Sequence, residues 1–189
     1  MTSPTASGTA ATRVTARIDD LVVGIRAVVQ LGRSPELTAH LVGEVLAPVL
    51  GTPDLLTAGQ REGDPERYRQ HVLHAEPDGG FSIVALVWLP GQQTAIHDHV
   101  SWCVTGVHEG QEHERRYRLA ADGPVSRLVA TEDVLNPTGA VAAFAPPGDI
   151  HRVRNSCSTK AISIHVYGAD ISRLGTSIRR TYRAPEGEL

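Results

Sequence analysis

Two histidines stand at i and i+2 in Ile96-His97-Asp98-His99, and a third, His151, follows the turn Pro146-Pro147-Gly148-Asp149-Ile150. Strand side chains alternate with a period of two, so His97 and His99 would leave the same face of a strand. In a closed barrel the strand carrying His151 can converge on theirs. Three neutral imidazoles suit iron, zinc, copper or nickel and leave coordination positions open for a substrate, which is the arrangement of a catalytic rather than a closed metal site. From the His-x-His pair alone, two surface histidines flanking Asp98 are an equally good reading.

A second alternating set, Ser163, His165 and Tyr167, puts a hydroxyl, an imidazole and a phenol on one face, where they can form a hydrogen-bonded series. Ordinary alternation in a half-buried strand would look the same. Of the two cysteines, Cys103 and Cys157, neither has the partners of a disulfide framework. Tyr68 and Gln70 precede the first strongly apolar strand and place a phenol and an amide at its entry.

These residues need rigid walls, and the pattern after Gly80 supplies them. Short β-rich runs alternate with Gly, Pro, Asp and Asn, which predicts strands over 81–89, 102–107, 112–119, 126–130, 141–145, 152–155 and 161–167. Asp122-Gly123 is a hairpin turn signal. Upstream, Ile18, Leu21, Val22, Ile25, Val28 and Val29 recur at helical spacing and stop at Gly32, while Ser34-Pro35-Glu36 is a capped helix start. The stretch 65–70 reads as a short helical or extended entry into the sheet. Residues 1–15 read as a disordered tail, and Arg179, Arg180 and Arg183 as a solvated surface.

The 189 residues therefore read as one domain over 16–189, mainly β, with helices at about 16–50 and an antiparallel barrel at about 66–170. Hydrophobic residues at 41% and charged residues at 21% fit ordinary globular usage. Eighteen basic against 21 acidic residues, a net charge of −3, exclude an electrostatic attraction to nucleic acid or anionic lipid and favour a small-molecule partner. No apolar run reaches the ~18 residues a membrane helix needs, and the expected location is cytoplasmic.

The spacing of Gly91, His97-x-His99, Cys103 and Gly110, with Gly139 and Pro146-x-Gly148-x-x-His151-x-x-x-Asn155, resembles the two motifs of the cupin superfamily. Cys103 stands where most cupins carry a glutamate ligand, and a three-histidine site without the acid is the pattern of thiol dioxygenases. Ile96-His97-Asp98-His99, His151-Arg152-Val153 and Ser163-Ile164-His165-Val166-Tyr167 narrow the resemblance to the cysteine dioxygenase family, over about residues 68–167.

That resemblance implies a cupin jelly-roll barrel, one Fe(II) per chain on His97, His99 and His151, and conversion of a thiol to a sulfinate with O2. It further implies that Ser163, His165 and Tyr167 hold the phenol over the metal, and that Cys103 matches a position whose thiol is joined to the tyrosine in some members. Tyr68 and Gln70 match the substrate segment, with Gln70 in place of the arginine of true cysteine dioxygenases, as in 3-mercaptopropionate dioxygenases. A carboxylate-binding cation would then come from elsewhere, with Arg69, Arg173 and Arg179 as candidates. The alternatives are a non-catalytic ligand-binding cupin and a zinc or manganese cupin enzyme.

Overall fold

The computed structural model describes residues 6–122 and 125–185. Two antiparallel five-stranded sheets form the halves of a barrel. The first is built from β1 (Arg69–Ala75), β2 (Ser82–Trp88), β9 (Ala161–Tyr167), β4 (Cys103–Glu109) and β7 (Val141–Phe144), in that order. The second runs β10 (Ile178–Tyr182), β3 (Ile96–His99), β8 (His151–Arg154), β5 (Gln111–Asp122) and β6 (Val125–Pro137). Two helices, α1 (Ala6–Gln30) and α2 (Pro35–Leu46), precede the barrel, and a single helical turn, α3 (Ile171–Leu174), leads into β10.

The central strands of the first sheet are buried on both faces, and the alternation of β2 and β9 divides the labour. Ile83, Ala85 and Val87 with Ile162, Ile164 and Val166 turn outward and meet Ile18, Leu21, Val22 and Ile25 of α1 and Val42 and Leu46 of α2 in the main core. Val84, Leu86 and Trp88 turn inward, as do Ser163, His165 and Tyr167. A strand covered by helices on one side and by the second sheet on the other needs no solvated face, which explains why β2 reads as a nearly continuous apolar run. The polar residues of β9 sit in that dry interior because they satisfy one another.

Several elements depart from the sequence reading. Helix α1 begins at Ala6, inside the stretch read as a tail; no proline interrupts residues 6–30, and Val14, 7% exposed, extends the buried stripe by a turn. Residues 1–5 of that stretch and the Gly123 of the expected hairpin turn lie outside the described residues. Strand β6 runs to Pro137 rather than Ala130, because Glu132 and Asp133 pair across the ladder with Arg116 and Arg115 of β5 instead of forming a loop. The cap at Ser34 is present, with its hydroxyl accepting from the Leu37 N–H at 3.4 Å. Gly110 takes φ +77° in the one-residue link from β4 to β5, where a Cβ would lie 2.9 Å from the Lys160 carbonyl oxygen.

Arg179 and Arg180, two of the three arginines read as solvated surface, belong to β10, and Arg183 follows it. Asp98, on β3 between the two histidines, has a side chain only 1% exposed and accepts hydrogen bonds from Arg179 Nη2 at 2.7 Å, Arg180 Nη2 at 2.7 Å and the Tyr182 hydroxyl at 2.8 Å. Burial alone would raise the Asp98 carboxyl, but these donors hold it well below the usual carboxylate range. The carboxylate points to the side of β3 opposite the histidine rings and fastens the C-terminal strand to the barrel.

Asp98→Ala is expected to lower the unfolding free energy by about 2–3 kcal/mol, at the lower end of the cost of breaking a buried ion pair because the arginines left behind are half exposed. Urea midpoints measure the loss, and hydrogen exchange of residues 178–182 should speed up before that of β9. Because the folded carboxyl is depressed, the latch contributes fully above the unfolded pKa of about 3.9 and weakens only as pH falls further.

Candidate metal centre and its surroundings

His97 on β3 lies directly opposite His151 on β8 in the strand register, and His99 follows two residues on, so three rings share one side of the second sheet. Their centroids form a nearly equilateral triangle of 4.8, 4.8 and 5.0 Å, and one ligand atom from each lies within 4.8 Å of the others. All three residues are at most 4% exposed, which removes the reading of His97 and His99 as a surface pair. The turn before His151 contains Gly148 at φ +107° and brings Asp149 alongside His99.

The second nitrogen of each ring has its own acceptor. His97 Nδ1 donates to the Ala95 carbonyl at 3.0 Å, His99 Nδ1 to Asp149 Oδ2 at 3.0 Å, and His151 Nδ1 to Glu114 Oε1 at 2.8 Å. A carbonyl only accepts, and both carboxyls are held ionised. Burial would raise Glu114, yet His151 and Arg116 bring it down to about 2, and His99 likewise lowers Asp149. Protons therefore sit on the three Nδ1 atoms, leaving the Nε2 lone pairs for an ion. Burial and the neighbouring rings push His97 down to about 3, so it is neutral near pH 7. The donor set thus fits a divalent transition metal: three imidazole nitrogens with their second nitrogens already oriented.

The set predicted on β9 is assembled. Trp88 Nε1 donates to Ser163 Oγ at 3.0 Å, Ser163 Oγ and His165 Nε2 are 2.8 Å apart, and His165 Nδ1 and the Tyr167 hydroxyl are 3.0 Å apart. His165 and Tyr167 line the same narrow cleft as the three histidines, along with Tyr68, Gln70, Leu86, Val153 and Ile178. The Tyr68 ring lies 4.6 Å from that of Trp88, which fixes it at the rim, and burial raises its hydroxyl. Cys103 is a buried free thiol paired in register with Tyr167 across β4 and β9; burial, joined by the charges of Asp149 and Glu114, pushes it well up and keeps it protonated. Cys157 lies away from this cleft, beside Asn155 and Gln111.

Of the three candidate arginines, Arg179 is committed to Asp98, and Arg173 is largely exposed beside Asp170. Arg69, together with Arg67, lines the outer groove that also borders Tyr68 and Gln70. Sequence reasoning missed Glu114 and Asp149 as histidine partners. Asp149 had a local signal, an acid two residues before His151, whereas Glu114 lies 37 residues away and becomes a neighbour only through the β5–β8 ladder.

Glu114→Gln and Asp149→Asn are each expected to weaken metal binding about 10- to 100-fold, since each removes the charge that fixes a ligand's tautomer. Competition against a chromophoric chelator measures this without any turnover. Arg115→Ala, which breaks a surface pair with the exposed Asp133, serves as the unaffected control.

Solved structures match part of the chain at low identity. An RmlC-like cupin protein from Desulfovibrio desulfuricans is 21% identical, with 57% of this chain and 88% of that chain covered and a TM-score of 0.41. A Cupin 2 conserved barrel domain protein from Salinispora arenicola is 20% identical, with 64% and 89% covered and a TM-score of 0.42. The family model described as cysteine dioxygenase type I matches residues 13–176, from the helical layer through the barrel and its three-histidine cluster to the turn before β10. The chain is a member of the cysteine dioxygenase type I family.

Proposed function

We propose that this protein is an iron(II) thiol dioxygenase that converts a small thiol acid, 3-mercaptopropionate or a close relative such as L-cysteine, to its sulfinate: RSH + O2 → RSO2H. The observation that carries the reading is the triangle of buried, uncharged imidazoles facing Tyr167 across a cleft with no carboxylate among the ligands. A ferrous ion held there would supply the electron chemistry that allows O2 to react with a thiolate.

The chain's own residues supply placement and polarity. Three imidazole ligands would leave the charge of a bound divalent ion uncompensated, which would favour an anionic sulfur beside it. Leu86, Val153 and Ile178 wall the cleft with apolar surface, so polar contacts inside it meet little competition from water. Burial pushes the Tyr167 hydroxyl well above its ordinary range, so it keeps its proton and can donate a hydrogen bond to the reacting atoms. At the rim, Gln70 and Tyr68 would take the polar end of the substrate, with the outer-groove arginines Arg67 and Arg69 drawing a carboxylate toward them.

Oxygen uptake by iron-loaded protein over a panel of cysteine, 3-mercaptopropionate, cysteamine and mercaptosuccinate tests the reading, with mass analysis of product made under ¹⁸O2. A sulfinate carrying two labelled oxygens is expected; no uptake with any thiol, or zinc or manganese in place of iron in the protein as isolated, would sink it. Tyr167→Phe should lower kcat roughly 10²- to 10³-fold with little change in KM, the usual scale for losing a positioned proton donor. Gln70→Ala should instead raise KM, by about 10-fold, the worth of one or two hydrogen bonds.

A further inference from the structure

One buried acid has no part in the metal site or the cleft wall. Glu112, on β5, is 2% exposed, and its Oε1 has no hydrogen-bond partner. An unsatisfied carboxyl oxygen in a dry interior is costly, so its position requires a reason. Its neighbours are Ser163 of β9 and Trp88 of β2, the inner end of the chain that runs through His165 to Tyr167.

We propose that Glu112 is the positioning residue that sets the direction of the Ser163–His165–Tyr167 hydrogen-bond chain, and so decides whether Tyr167 offers the cleft its proton or its lone pairs. The inference deepens the dioxygenase reading and rests on it for the meaning of Tyr167, but its structural basis is independent of any reaction.

The valences of Ser163 Oγ make the argument. The oxygen has two lone pairs and one proton, and Trp88 Nε1–H occupies one lone pair. When Glu112 is protonated it donates to the remaining lone pair. The serine proton then turns to His165 Nε2, His165 carries its own proton on Nδ1, and Nδ1–H donates to the Tyr167 oxygen. The phenolic proton is left free for the cleft or for Ser177 beside it. When Glu112 is ionised it accepts the serine proton. Ser163 then accepts from His165 Nε2–H, and Tyr167 donates to Nδ1, turning its lone pairs outward.

The two arrangements differ by one proton. Passing from the first to the second by transfers along the chain moves a proton from Glu112 to Ser163, one from Ser163 to Nε2 and one from Nδ1 to Tyr167, and releases the original phenolic proton into the cleft. Charge balances: Glu112 becomes anionic as one proton leaves at Tyr167.

Burial raises Glu112, the polar Ser163 hydroxyl and Trp88 N–H beside it oppose the rise, and the charge of Glu114 adds to it, placing the carboxyl at about 7. The charged group facing it is Glu114 on its own strand. From β2 it meets Trp88 and from β9 Ser163, neither of which titrates in this range, and the titratable groups further along β9 are His165 and Tyr167. His165 is held well below its ordinary value by burial and by the three ligand imidazoles, so it stays neutral and can only exchange tautomers.

The test is ¹⁵N NMR of histidine-labelled, zinc-loaded full-length protein between pH 5.5 and 8.5, with the His165 signals assigned by their loss in His165→Gln. The expected result is an Nδ1-protonated ring at low pH that becomes Nε2-protonated as pH rises through about 7. In Glu112→Gln and Glu112→Leu the tautomer should be independent of pH, and Glu112→Leu should hold the Nδ1-protonated form because Ser163 has no acceptor other than His165. A wild-type ring that keeps one tautomer throughout, or a variant that shows the same crossing, would overturn the inference. The readout requires neither thiol nor iron, so a crossing in a protein that consumes no O2 sinks the dioxygenase reading alone, and an active enzyme without a crossing sinks this one alone.

Discussion

Three imidazoles can share one buried pocket only if each arrives uncharged and each places its free lone pair toward the same point. That requirement determines the surroundings. The Nδ1 protons of His97, His99 and His151 need acceptors inside the protein, and the chain supplies a carbonyl, an aspartate and a glutamate from three different segments. Each acceptor must then be held in turn: Glu114 by Arg116, and Asp149 by the backbone N–H of His99 as well as its ring. The site is a set of nested hydrogen bonds that orient the three rings before any ion arrives.

The barrel meets this requirement because its two sheets do different work. The β3–β8–β5 ladder brings ligands and their acceptors into register on one wall. The β2–β9–β4 ladder is anchored on its outer face by the helices and presents the tyrosine chain from the opposite wall. Helix packing on Ile162, Ile164 and Val166 therefore governs the position of Tyr167, since a strand cannot shift on one face without shifting on the other. The latch at Asp98 serves the same end on the second sheet by holding β10 against the strand that carries two of the ligands.

What the sequence made legible follows strict local periods. His97 and His99, or Ser163, His165 and Tyr167, need only the two-residue alternation of a strand to be placed on one face, and the Ser34 cap and Gly32 stop need only helix-end chemistry. Contacts created by pairing between distant strands were opaque. Glu114 looks like one charge in the polar run Gln111–Arg118, and nothing local distinguishes it from Glu112, although one ends ionised against His151 and the other buried beside Ser163. Arg179 and Arg180 are exposed, as their sequence suggests, but their partner was hidden for the same reason: only the β3–β10 register shows that a buried carboxylate awaits them. The helix over residues 6–15 was lost because small polar residues carry little periodic signal, even though nothing there prevents a helix from continuing.

Four acids lie within or just behind the site, and their charges are handled in different ways. Asp98 is neutralised by arginines from outside, Glu114 is shared between Arg116 and His151, and Asp149 is bound to His99. Glu112 has no cation, and the cheapest way to keep it buried is for it to take up a proton. The first three are fixed charges that orient ligands and hold strands, and any change in them would cost stability. The fourth can change its charge at modest cost, and it sits at the inner end of the hydrogen-bond chain that reaches Tyr167. A fold that surrounds its three-histidine cluster with rigid charges thus leaves an adjustable one where it can act on Tyr167 without disturbing the imidazoles.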